Sequence, residues 1–231
     1  MKLSRILSNQ NGISRKQANA LIAAGRVSVN DQICRTPACE VNRFSTVRLD
    51  NELIQAGEAE HYLMLNKPAG YLSATVDDNH QTVLDLLAPE LRRHLHIAGR
   101  LDRSSTGLLI LTSNGHWSRK LTEPAIKIPK VYRVTTAYPI GPDTEEQFAR
   151  GIWFEFEGLT TSPAQIDHLG EREARVTIYE GRYHQIKRMF HAVGNRVTGL
   201  HRERMGGIAL DGNLAPGAYR CLTRAEIESV Q

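Results

Sequence analysis

The chain has 231 residues, of which 41% are hydrophobic, and a formal net charge of +4. That content supports a packed core, excludes a wholly disordered chain, and suits one large domain or a small domain plus a medium one. No uncharged apolar run reaches the ~18 residues of a membrane span, and the start from Met1 to Arg5 lacks the apolar stretch of a secretion signal, so a soluble cytoplasmic protein without membrane contact is expected.

In chain order, Leu3, Ile6 and Leu7 share a helical face. Ser14 is a good N-cap for a second helix over Arg15 to Ala24, and Gly25 stands where a C-cap glycine belongs. Val27 to Val29 alternates as a strand, Asn30-Asp31 signals a turn, and Ile33 begins the return. Val47 and Leu49 mark another strand, and the polar stretch Asn51 to Glu60 reads as a flexible linker.

Further strands are expected at Tyr62 to Asn66, Leu108 to Leu111, Val131 to Thr135 and Ala174 to Tyr179. Short helices are expected at Thr82 to Leu87, Gly115 to Leu121, Thr144 to Arg150 and His184 to Val193. Strands and helices interleave without a strict repeat, which predicts an α+β or mixed α/β larger domain. The three cysteines Cys34, Cys39 and Cys221 have no clustered histidines and read as reduced thiols, with no metal site.

Charge is unevenly distributed. Residues 1–57 hold eight Lys/Arg against four Asp/Glu, and the remainder is balanced. Within that remainder, Arg182, Lys187, Arg188, Arg196, Arg202 and Arg204 face a single acid, Glu203, between positions 182 and 204. Two local positive fields suit a polyanion such as RNA, and equally describe solvated surface charge.

The run Leu3…Ile6-Leu7…Gly12-Ile13-Ser14-Arg15…Ala18…Leu21-Ile22…Gly25-Arg26-Val27…Val29-Asn30 resembles the S4-type RNA-binding domain. The resemblance covers about the first 50 residues and, with the charge break and the polar stretch after Asn51, divides the chain into a small α/β RNA-binding module at 1–57 and a larger domain at 58–231. Arg15 and Lys16 lie in the first turn of the second helix, where cationic side chains and backbone N–H groups can both meet phosphate. Arg5 and Arg26 extend the patch.

The segment Gly99-Arg100-Leu101-Asp102-Arg103-Ser104-Ser105-Thr106-Gly107-Leu108 is a polar loop entering a buried strand. A carboxylate held there can act as nucleophile or general base. On chemistry alone, Asp102 reads first as a loop aspartate that caps or pairs locally.

Gly99 to Asp102 followed by Thr106-Gly107-Leu108 resembles the catalytic motif of pseudouridine synthases that act on ribosomal RNA. Lys67-Pro68-x-Gly70, Lys130-Val131-Tyr132 and Glu180-Gly181-Arg182-Tyr183-His184-Gln185-Ile186-Lys187-Arg188-Met189-Phe190 resemble three further motifs of that family, in the same order. With the S4-like start, the resemblance covers essentially the whole chain.

The resemblance implies a mixed, mainly antiparallel β-sheet catalytic domain and no cofactor. It makes Asp102 the catalytic carboxylate, Tyr132 the ring that stacks on the target uracil, and Lys187 the cation paired with Asp102. Arg100, Arg182, His184, Gln185, Arg188 and Arg202 are expected to contact RNA. Tyr183-His184-Gln185 with Lys187-Arg188-Met189-Phe190, then Val193-Gly194-Asn195 and Leu200-His201-Arg202, resemble the branch that modifies 16S rRNA, so rRNA in a partly assembled small subunit is the expected partner; the charge break and the polar stretch Asn51 to Glu60 lead to the expectation of a monomer.

That branch usually has an acidic residue two positions after the catalytic Asp, where this chain has Ser104. The alternatives are the same reaction on large-subunit rRNA, a non-catalytic RNA-binding assembly factor, and a retaining glycosidase. The last needs a second carboxylate about 5–5.5 Å from Asp102, for which Glu180 is the candidate.

Overall fold

Leu3 and Leu7 are buried on helix α1 (Leu3–Ser8) and meet Ala18 and Ile22 of α2 (Arg15–Ala23). The second helix starts at a reciprocal cap, in which the Ser14 hydroxyl accepts from Gln17 N and Gln17 Oε1 accepts from Ser14 N. Strands β1 (Val27–Val29), β2 (Gln32–Ile33), β3 (Val47–Leu49) and β4 (Glu52–Gln55) form an antiparallel sheet in the order β2-β1-β3-β4. Asn30 and Asp31 both have positive φ, as a two-residue hairpin turn requires.

The computed structural model describes residues 1–10 and 12–230. It divides into two units, Met1–Glu60 and His61–Gln231. The expected linker is therefore corrected in part. A second positive-φ turn at Asp50-Asn51 folds Glu52–Gln55 back onto β3, and the Gln55 amide donates to the carbonyls of Asn42 and Ser45. With Glu58 and Glu60 inside the first unit, its eight Lys/Arg face six Asp/Glu, a net +2. The second unit, with 21 Lys/Arg and 19 Asp/Glu, also carries +2, so the first unit does not hold all the charge.

In chain order the second unit contains β5 (Tyr62–Lys67), β6 (His96–Ala98), β7 (Thr106–Thr112), α3 (Gly115–Thr122), β8 (Lys130–Thr136) and α4 (Thr144–Arg150). There follow β9 (Trp153–Phe154), β10 (Leu159–Thr160), β11 (Gln165–Gly170), β12 (Glu173–Ile178) and α5 (Gln185–Ala192). The last elements are β13 (Val197–Met205), β14 (Ile208–Ala209), β15 (Tyr219–Cys221) and α6 (Arg224–Glu228).

Nine strands form one sheet along the path β11-β12-β8-β13-β7-β5-β15, with β14 joined to β13 and β6 to β7. The β7–β13 pair is parallel, and the other pairs are antiparallel. The fold is α+β with a mixed, mainly antiparallel sheet, as the sequence and its resemblance imply.

Strands β5 and β7 are buried on both faces. Leu63, Leu65, Leu109 and Leu111 pack with Phe148 and Phe190 on one side. Met64, Leu108 and Ile110 pack with Trp117, Met205 and Ile208 on the other. This explains their continuous apolar runs. No helix among the described residues is long and apolar enough to cross a membrane.

Candidate active site

Strand β7 begins where a tight loop ends. Gly99 and Gly107 bracket that loop with φ of +84° and +98°. A side chain at Gly107 would bring its Cβ within 2.4 Å of the Arg202 carbonyl oxygen, so only glycine allows β7 and β13 to pair there. Between the two glycines stands Asp102.

The loop is held from three directions. Ser73 Oγ donates to Leu101 O at 2.8 Å and accepts from Leu101 N at 3.1 Å. The fully buried Lys67 ammonium donates to the carbonyls of Pro68, Arg103 and Ser105 at 3.0, 3.3 and 2.8 Å. Burial pulls that ammonium down to about 8, against the opposing attraction of Asp102. From β13, Arg202 donates to Leu108 O, Gly99 O and Arg100 O at 2.8, 2.9 and 3.4 Å.

Helix α5 supplies the other half of the site. Lys187 Nζ lies 2.7 Å from Asp102 Oδ2 and 3.1 Å from Ser104 Oγ. His184 Nε2 lies 3.4 Å from Asp102 Oδ1. The helix start is fixed by Glu180, whose carboxylate accepts from Ser162 N, Gln185 Nε2 and Arg182 Nε.

Tyr132 comes from β8, and its hydroxyl accepts from Arg202 Nη1 at 3.4 Å. It is only 7% exposed and packs with the main core, yet it borders a cleft of about 760 Å³ together with Asp102, Arg202 and Lys130. That size accommodates a nucleotide.

The expected site residues thus separate. Asp102, Lys187, Tyr132 and His184 come together. Arg202 and Gln185 are corrected from surface RNA contacts: they are 1% and 3% exposed, and their donors serve the protein interior. Arg188 is held by Glu157 through both terminal guanidinium nitrogens and lies over the Phe154 ring, and Arg182 is paired with Glu180. Arg5, Arg15 and Lys16 are exposed, as is Arg26, which pairs with Asp50. Arg100 borders both the cleft and an adjoining groove that also contains Arg119.

Sequence reasoning missed what three residues do here, although it named Arg202 as an RNA contact and Lys67 within a motif. Lys67 and Arg202 act through carbonyls, which leave no trace in side-chain pattern. The Ser105 hydroxyl is buried without a partner among the described residues, in a small pocket beside Asp102 and Tyr132.

Comparison with known proteins agrees with this architecture. The RNA pseudouridylate synthase family matches residues 61–192, and the S4 domain matches residues 1–47. A ribosomal small subunit pseudouridine synthase A from Pseudomonas aeruginosa is 51% identical over 230 residues, covering 100% of both chains. The protein of that name from Escherichia coli K12 is 45% identical over 230 residues, with the same coverage. A crystal structure of a pseudouridylate synthase superimposes with a TM-score of 0.74 at 37% identity, covering 100% of each chain. With its N-terminal S4 domain, the chain belongs to the RNA pseudouridylate synthase family, enzymes that isomerise uridine in RNA to pseudouridine.

Proposed function

We propose that this enzyme modifies a uridine of small-subunit ribosomal RNA, with Asp102 as the carboxylate that acts on the flipped-out nucleotide. The observation that carries the reading is the Asp102–Lys187 pair at 2.7 Å, beside Tyr132 in a cleft of nucleotide size. The small-subunit target rests on the two relatives named for it, each matched from end to end. The Tyr183-His184-Gln185 sequence supports the same branch.

The reaction breaks the C1′–N1 bond, turns the uracil and forms a C1′–C5 bond. The proton on C5 is lost and N1 gains one, so no atom is added overall and no electrons are exchanged with a cofactor. Leaving the helical stack costs the RNA a few kcal/mol, roughly, and unpaired regions pay least. Stacking on an aromatic ring returns about 1–3 kcal/mol per base, and we assign that ring to Tyr132, which borders the cleft. Lys187 anchors one carboxylate oxygen, and the loop cations hold the backbone beneath Asp102.

The S4 module and Arg100 bind the surrounding phosphates. We propose that the chain acts as a cytoplasmic monomer on RNA of a partly assembled subunit, and that Met1–Glu60 and His61–Gln231 are its RNA-binding and catalytic domains. A glycosidase reading loses its second acid, because three protein donors occupy Glu180.

The test is Asp102→Asn. Turnover, followed as tritium release from C5-labelled rRNA, should vanish, while the melting curve and filter-binding affinity stay near those of the wild type. Normal turnover in this variant would remove Asp102 from the chemistry. Mapping pseudouridine in rRNA from cells lacking the protein identifies the subunit. A lost site in large-subunit rRNA would overturn the proposed target, and no lost site would favour a binding protein.

A further inference from the structure

We propose that Tyr183 is a stacking platform for the nucleobase next to the target uridine, at the mouth of the catalytic cleft. The proposal rests on the reading of that cleft as the uridine site. Tyr183 is 76% exposed, although it stands on a turn closed by several hydrogen bonds. Its ring stacks on His184, with centroids 3.8 Å apart and planes 21° apart. His184 in turn reaches to 3.4 Å from Asp102 Oδ1, and both rings border the cleft. One Tyr183 face is thus covered by an imidazole that touches Asp102, and the ring remains largely open to solvent.

The backbone is arranged to hold this stack. His184 has φ +49° and ψ 32°, a left-handed conformation that a residue with a side chain adopts at a cost. The turn is pinned on both sides. Arg182 N donates to Gln185 Oε1, Gln185 N to Arg182 O, Arg188 N to His184 O, and Arg188 Nη1 to Tyr183 O. Gln185 is itself fastened to Glu180. Burial of the tyrosine does not explain this arrangement, and its hydroxyl has no protein partner among the described residues.

A uridine that leaves its stack uncovers a face of each neighbouring base. An open aromatic ring, one ring away from the carboxylate, restores a stacking partner to one of them. Stacking of this kind tolerates any base, because every base has a π-face. The occupant is therefore a nucleobase of the substrate strand, continuous with the nucleotide in the cleft.

The experiment compares wild type, Tyr183→Ala and Tyr183→Phe on an rRNA fragment containing the target uridine. It uses further fragments that are abasic at the nucleotide before or after it. Equilibrium binding and turnover are both measured. On intact RNA, Tyr183→Ala should bind about tenfold more weakly, the size expected for one lost stack. Its KM should rise with little change in kcat, while Tyr183→Phe stays near wild type.

At one of the two abasic positions, wild type should lose a similar factor and the alanine penalty should disappear. Equal affinity of wild type and Tyr183→Ala for intact RNA would overturn the platform. So would a penalty that survives both abasic substitutions, or a phenylalanine variant as weak as alanine; either would point to a protein partner or a hydroxyl contact. Because affinity is read without turnover, these outcomes stand apart from any failure of Asp102 in the chemistry.

Discussion

Lys67 shows how one buried residue can hold the Asp102 loop from beneath. Its ammonium has no access to water and is solvated by three carbonyls of the Asp102 loop and the adjoining turn. Burial lowers its affinity for the proton to about 8 in the folded protein, from an ordinary value of 10.5. Between those two values the unfolded chain binds the extra proton, so stability gains from this group as pH rises. The burial cost, about 3 kcal/mol from the difference in proton affinity, is fully present below pH 8 and relieved by pH 10.5. Denaturant titrations of wild type and Lys67→Met across that window provide the check. The wild-type curve should climb relative to the variant by up to that amount, whereas parallel curves would mean that Lys67 keeps an ordinary proton affinity.

Strand β13 decides what the C-terminal end of the basic stretch between 182 and 204 does. As a surface segment its arginines would be phosphate ligands. Placed in the sheet between β8 and β7, it turns Arg202 inward and spends its donors on the loop that carries Asp102. Arg202→Met leaves three carbonyls without their charged donor, a loss of roughly 3 kcal/mol. In a domain of this size that lowers the melting temperature by roughly 6–12 °C. Turnover should fall as the loop loosens, yet the salt dependence of RNA binding should not change. A flatter salt slope in this variant would return Arg202 to the RNA-contacting set. The same strand explains Gly107, whose missing side chain lets the parallel pair close.

At the scale of the molecule, the positive charge is divided between two units that each carry a net +2. The RNA binding proposed for the first unit therefore rests on placement rather than total charge. Arg5, Arg15 and Lys16 are exposed and have no carboxylate partner among the described residues, whereas Arg26 is paired with Asp50. Each phosphate contact adds about 0.9 to the slope of log affinity against log salt on duplex nucleic acid, and about 0.7 on single strands. Removing residues 1–60 should weaken rRNA binding and reduce that slope by about 2–3, while the remaining domain keeps a cooperative melt. An unchanged slope would show that the module does not hold RNA phosphates.

Local patterns were enough to read much of this protein from its sequence. Helical spacing, caps and turn residues marked both N-terminal helices, the first hairpin and strands β5, β7, β8 and β12, because those signals act between near neighbours. The Asp102, Tyr132 and Lys187 motifs were legible for a different reason, since their order along the chain resembles a known family. The strand over Val197–Met205 was not legible, because glycine and charged residues interrupt its apolar alternation and its place is set by partners 60 to 100 residues away. The inward turn of Arg202 and the three-carbonyl cradle of Lys67 also needed the tertiary structure. Each depends on backbone atoms that meet only after the sheet has closed, and no spacing of side chains along the chain encodes such a meeting.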